Sequence, residues 1–245
     1  VHIAGIVTAI VGTTSSFAVV LAGLSAVGAS PAQAASGLAA LCVLQGIGCI
    51  VLAQRYRLPV VLAWSTPGAA MLAATGAVGG GWSAAVGAFA LTGLLLLATA
   101  ALPILGRAIA AIPTVLAQAM LAGVLVPLCL TPVRALVDAP ALVAPVVIVW
   151  VAALALKPRW AAPAAIAVAL VMTLISADQL PAAQLLPQLT WTTPTLTWSA
   201  VVSIAVPLWI VTMAAQNVPG AAVLASFGYR APWRGSLTVT GIATV

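Results

Sequence analysis

Charged side chains are nearly missing from this chain of 245 residues: eight lysines and arginines and two aspartates make 4% of it, against 64% hydrophobic residues. Water-soluble globules carry about 25% charged residues, so the solvent of this fold is lipid. Chemistry-bearing groups are equally scarce. His2 is the one histidine, and at the start of the chain a terminal or interfacial role outweighs a proton relay. The aspartates, Asp138 and Asp178, fall between apolar runs rather than within them, which leaves no intramembrane carboxylate for acid–base work. Cys42, Cys49 and Cys129 sit in apolar stretches; Cys42 and Cys49 lie seven apart on one helix, too far to pair, and all three read as small hydrophobes. Neither a Cys/His spacing for a metal nor a glycine loop for phosphate is present, since Gly79-Gly80-Gly81 reads as an outer turn. These shortages argue against an enzyme, a metal centre or a cofactor. The basic residues never cluster into a patch, so the formal charge of +6 does not point to nucleic acid.

What the chain does have is long apolar runs, at 3–27, 32–53, 58–76, 82–102, 110–131, 140–156, 160–177 and 199–217, with an incomplete ninth from about 235. With no water at mid-membrane, backbone amides must be paired within the chain, and only helix bundles and closed barrels do this. Barrel strands alternate polar and apolar over about 10 residues. These runs are continuously apolar, so the expected fold is all-α and multi-pass, embedded in membrane lipid. Residues 3–27 are too long for a signal peptide and lack a basic flank with a small-residue cleavage site, so they read as a mature span.

The charges that exist carry topology. With a cytoplasmic N-terminus, the inner connections hold Arg55, Arg57, Arg107, Lys157, Arg159, Arg230 and Arg234, leaving only Arg134 outside. Trp82, Trp160, Trp191, Trp198 and Trp233 fall near span ends, where indole rings prefer the headgroup layer. The stretch 178–198 reads as a long outer connection holding a short interfacial element. Ser15-Ser16 followed by Pro31 and Gln216-Asn217 followed by Pro232 share one spacing, which suggests a repeat restarting at the eighth span. Since seven spans is odd, that second copy would be inverted and the chain as given would end inside it.

Intramembrane polar groups are costly unless paired or facing a cavity, so they point to a site. Thr13-Thr14-Ser15-Ser16 stands midway along the first run, where hydroxyls either bond their own helix or line a cavity. In Trp64-Ser65-Thr66-Pro67-Gly68, Pro67 lacks an amide and Gly68 tolerates unusual dihedrals, so a helix over 58–76 should break there. The half-helix beyond such a break would offer free amides to an anion; the alternative is a kink whose freed groups Ser65 and Thr66 satisfy. Gln216-Asn217-Val218-Pro219-Gly220 reads either as an interfacial turn or, if the helix continues to Ser226, as amides deeper in the membrane. Gln118 is a lone amide suited to bridging two helices, with substrate contact as the alternative.

Gly12-Thr13-Thr14-Ser15-Ser16, Leu62-Ala63-Trp64-Ser65-Thr66-Pro67-Gly68 and Ala214-Ala215-Gln216-Asn217-Val218-Pro219-Gly220 together resemble the benzoate/proton symporter family (BenE type) of bacterial inner membranes. More distantly, Arg57-Leu58-Pro59 leading to Trp64-Ser65-Thr66, and Ile112-Pro113 leading to Gly123, are similar to the uracil/xanthine permeases and related anion transporters. The resemblance implies a 7+7 inverted-repeat fold with broken third and tenth spans, truncated here after the eighth. Residues 1–102 would be core-domain helices, 103–177 gate-domain helices, 178–198 an outer connection and 199–245 the start of the second repeat. It implies proton-coupled import of benzoate or a similar aromatic carboxylate, with core moving against gate. The substrate would meet Ser15, Ser16, Trp64, Ser65, Thr66, Pro67, Gly68, Gln216 and Asn217, with Thr13, Thr14 and Gln118 nearby. Nucleobase or inorganic-anion transport, or a non-transporting membrane subunit, are the alternatives. The proton carrier stays open between a residue beyond Val245 and a path near the bound carboxylate. The many small residues suit packing into a homo-oligomer without specifying one.

Overall fold

Helix signals in the sequence turn into helices with recognisable ends. The computed structural model describes residues 12, 16–102, 104–105, 114–176 and 187–245. Along these run α1 (Ser16–Ala26), α2 (Pro31–Tyr56), α3 (Thr66–Thr75), α4 (Gly81–Ala101), α5 (Thr114–Asp138), α6 (Pro140–Leu156), α7 (Ala161–Ser176), α8 (Trp198–Ser226) and α9 (Trp233–Thr244), with no strand among the described residues. Helices α2, α4 and α8 are long and apolar enough to cross a membrane. Two compact units result, one from the described parts of 1–17 and 126–186, the other from 18–125 and 187–245. In the first, α6 and α7 pack on each other across a tight turn at Pro158–Trp160. Large apolar side chains such as Ile148 and Ile175 stay uncovered there, as expected where lipid is the solvent.

The second unit is built around α4, whose buried face is Ala84, Ala85, Ala88, Thr92 and Leu96. Small side chains let neighbours come close, which matters in lipid because no hydrophobic force drives helices together there. Ala200, Ile204 and Ala205 of α8 and Leu72 of α3 fill that face. Against α9 the approach is tighter still: a methyl on Gly93 would lie 2.8 Å from the Gly241 carbonyl oxygen, and one on Gly241 would lie 2.9 Å from that of Gly93. The Thr92 hydroxyl donates to Ala88 O at 2.8 Å and reaches Ala205 O at 3.2 Å, tying α4 to α8. One helical turn pair further along, Trp209 Nε1 donates to Thr99 Oγ1 at 3.1 Å.

Helix α2 begins with a reciprocal cap between Ser30 and Gln33, and Pro31 occupies the first turn, where no donor is needed. It ends at Arg57, which takes the left-handed conformation (φ 51°, ψ 38°) and donates its amide to Ala53 O. Pro59 cannot resume the helix. The sequence expectation of helix on both sides of a break over 58–76 is therefore corrected: residues 57–65 are non-helical and the helix starts only at Thr66.

Helix α8 answers the question left open at Gln216. It runs without a turn from Trp198 to Ser226, so the amides lie within one continuous apolar helix and the interfacial-turn alternative falls. Two of its stretches, Val201–Ala205 and Met213–Asn217, widen to π geometry, and each is followed two residues later by a proline, Pro207 and Pro219. A proline ring crowds the carbonyl four residues back and offers no N–H, and shifting the bonding to five residues back relieves both. The stretch 187–197 before α8 is non-helical and pinned along its length: Thr190 N–H to Ser36 Oγ, Trp82 Nε1 to Thr192 Oγ1, Thr195 N–H to Ser83 O, and Thr197 Oγ1 to Gly79 O, each at 3.0 Å.

Candidate functional site

A non-helical segment between helices must have its backbone groups satisfied from outside, since lipid offers no partners. Residues 57–65 are served by two helices. From α2, Cys49 accepts the Leu62 N–H at 3.1 Å and its thiol donates to Leu62 O at 3.5 Å, while Gln45 Oε1 accepts the Trp64 N–H at 3.1 Å. From α8, Gln216 Nε2 donates to the carbonyls of Ala63 and Trp64, the latter at 3.2 Å. The segment is thus laced between α2 and α8 by side chains, immediately before α3 begins.

The start of α3 is partly closed by its own residues. Ser65 sits in extended conformation and its Oγ accepts the Gly68 N–H at 3.1 Å, Pro67 has no N–H to offer, and Ala69 N–H donates to Ser65 O at 2.8 Å. The expectation of several free amides at the half-helix is corrected accordingly, and Ser65 performs the capping that the kink alternative assigned to it. Replacing Ser65 with alanine should lower stability by about 1 kcal/mol through loss of this cap; a thermal-shift measurement reads it.

Close packing fixes this helix end in place. A methyl on Gly68 would lie 2.6 Å from Leu208 Cδ1 of α8, and one on Gly23 of α1 would lie 2.4 Å from the Ala69 carbonyl oxygen. Trp64 is half-buried and packs against the buried cluster of Val20, Leu24, Ala29, Ala34 and Ala69. Trp64, Ser65, Thr66, Pro67, Gly68 and Gln216 therefore come together. Asn217 follows on the same helix, but its Nδ2 donates to Thr212 O at 3.0 Å, within α8. Ser16 is in the first turn of α1 and half-buried. Thr13, Thr14 and Ser15 lie outside the described residues, as does the side chain of Gln118 on α5.

Gln216 is the chemically distinctive member. Its NH2 group faces two carbonyls, so its Oε1 faces elsewhere, and that oxygen is buried with no hydrogen-bond partner among the described residues. A buried acceptor without a donor is unfavourable unless something else supplies one. Sequence reasoning missed Gln45 and Cys49. Gln45 had the same signal as Gln118, one amide within an apolar run; Cys49 had none, because a thiol that bonds a backbone reads like one that only packs.

Comparison with known proteins gives two matches. The family model described as benzoate membrane transport protein (BenE) covers residues 1–245. Inner membrane protein YdcO of Escherichia coli (strain K12) is 34% identical over 176 residues, 72% of this chain and 45% of that protein, so the chain spans about half the length of this curated relative. No solved structure matches.

Proposed function

Because this chain belongs to the benzoate membrane transport family, we propose that it is part of a secondary transporter that imports benzoate or a similar aromatic carboxylate, with protons, across the bacterial inner membrane. The observation that carries this reading is the meeting of α8 and the start of α3: Gln216 holds the Ala63 and Trp64 carbonyls beside the Ser65 cap, in the middle of apolar sequence. Such a polar knot, held from two helices, is costly in lipid unless it does work. Trp64 adds an aromatic body at the same place, suited to a ring. In this reading Trp64, Ser65, Thr66, Pro67, Gly68, Gln216 and Asn217 line the substrate position. Helices α1 to α4 with α8 and α9 form the moving core, α5 to α7 belong to the gate, and the N-terminus is cytoplasmic, as the distribution of basic residues favours.

Competition tests the substrate class. Uptake of labelled benzoate by the full-length protein should be displaced by unlabelled benzoate and substituted benzoates and not by uracil, xanthine or sulfate. Displacement by a nucleobase or by sulfate at comparable concentration would move the assignment to the corresponding carrier class. A saturable cycle of any kind excludes a purely structural subunit.

A further inference from the structure

The proposed site presents an acceptor where a carboxylate would need a donor. Glutamine oxygen and nitrogen are distinguished by their partners, and here the assignment is firm: Ala63 O and Trp64 O can only accept, so the NH2 must face them and Oε1 must be the orphan. On the residue after Trp64, the Ser65 oxygen accepts the Gly68 amide, and a hydroxyl that accepts at oxygen still has its own proton to donate. One acceptor and one hydroxyl donor, carried by a residue bonded to Trp64 and by the residue after it, match a neutral carboxylic acid. They do not match an anion, whose oxygens would leave Gln216 Oε1 unsatisfied and face it at close range.

We infer that the form bound is the protonated acid, its O–H donating to Gln216 Oε1 and its carbonyl accepting from Ser65. The inference rests on the transport reading above. The carboxylate takes one proton from the medium on the loading side, crosses as the acid and returns the proton on release, so one proton moves per substrate while no side chain changes charge. The surroundings agree with this. In their described residues α1, α3, α4 and α8 carry no acidic, basic, cysteine or tyrosine side chain; α2 contributes Cys42, Cys49, Arg55 and Tyr56, the 57–65 segment Arg57, and α9 Arg234. Of these, Cys49 is engaged with Leu62, and the Arg55 guanidinium lies over the Tyr56 ring.

Calorimetry on the full-length protein in nanodiscs, titrated with benzoate in two buffers of different ionisation enthalpy, counts the protons. The expected result is uptake of about one proton per benzoate and an affinity that falls about tenfold per pH unit around neutrality. Benzamide, a neutral isostere with an N–H donor and a carbonyl acceptor, should compete with an affinity that does not change with pH. In Gln216→Met, binding of both ligands should weaken together. Benzoate binding without proton uptake, with benzamide inert, overturns the inference while leaving benzoate transport standing. So does undiminished one-proton binding in Gln216→Met, which would put the proton elsewhere. No benzoate binding at any pH removes the transport reading itself and this inference with it.

Discussion

Gln216→Leu should reduce benzoate uptake by roughly 10- to 100-fold, because it removes the proposed ligand acceptor and a backbone clamp at once, each of the order of 1 kcal/mol or more. The clamp comes first in the argument. Nε2 is the group from α8 that engages the Ala63 and Trp64 carbonyls, and without it those carbonyls lose their described partner inside the membrane. Among the described side-chain bonds to the segment before α3, those from Cys49 and Gln45 of α2 would then remain. Interhelical hydrogen bonds within membranes are worth about 0.6 kcal/mol on average and up to about 1.7, so the chain should still fold. Fluorescence-detected size exclusion of the variant checks that, separating a folded, inactive protein from a lost one. Gln216→Glu keeps an acceptor but has no NH2 group for the clamp, and should retain more uptake than the leucine variant. Equal losses in both would mean that the clamp, and not the acceptor, is what transport needs.

Gly23→Ala should be the most damaging single methyl in the described chain for the position of α3. The added carbon would stand 2.4 Å from the Ala69 carbonyl oxygen and 3.2 Å from its carbon, and backbone cannot swing aside as a flexible side chain can. Helices α1 and α3 would have to part, with Val20, Leu24 and Trp64 losing the contacts that seat the start of α3. Overpacking of this kind costs about 1 to 3 kcal/mol. Gly46→Ala on α2 is the matched control, since nothing lies within 4 Å of its added methyl. There, exchanging glycine for the better helix former should be neutral or stabilising by about 0.5 to 1 kcal/mol. The prediction is a clear fall in melting temperature for the first variant and none for the second; a Gly23→Ala protein as stable as wild type would contradict the tight α1–α3 seat.

Hydropathy made α2, α4 and α8 legible because a continuous apolar run of that length has few other fates in lipid. The break at Thr66 was legible too, from Pro67 and Gly68. What could not be read was that residues 57–65 never form a helix. Val60, Val61 and Leu62 are apolar either way, and periodicity does not separate a short extended run from a helix. The groups that make the extended form affordable, Gln45, Cys49 and Gln216, lie 13 to 153 residues away in sequence. The same distance hides Thr92 reaching Ala205. The continuation of α8 past Gln216 stood undecided in sequence because Asn217, Pro219 and Gly220 are ordinary turn residues. Tertiary packing let Pro219 be absorbed by a π stretch instead. At the proposed site, cost alone singled out the cluster Trp64 to Gly68 with Gln216: polar groups in an apolar run. Its hydrogen-bond polarity, an acceptor rather than a bare set of donors, needed the geometry.

Accumulation of labelled benzoate by proteoliposomes containing the full-length protein, with an acid exterior, tests the central claim most directly. The account predicts saturable accumulation above the level of protein-free liposomes, abolished by a protonophore and sharply reduced by Gln216→Leu. Accumulation equal to that of protein-free liposomes, or a protein-dependent part indifferent to both the protonophore and Gln216, would contradict it.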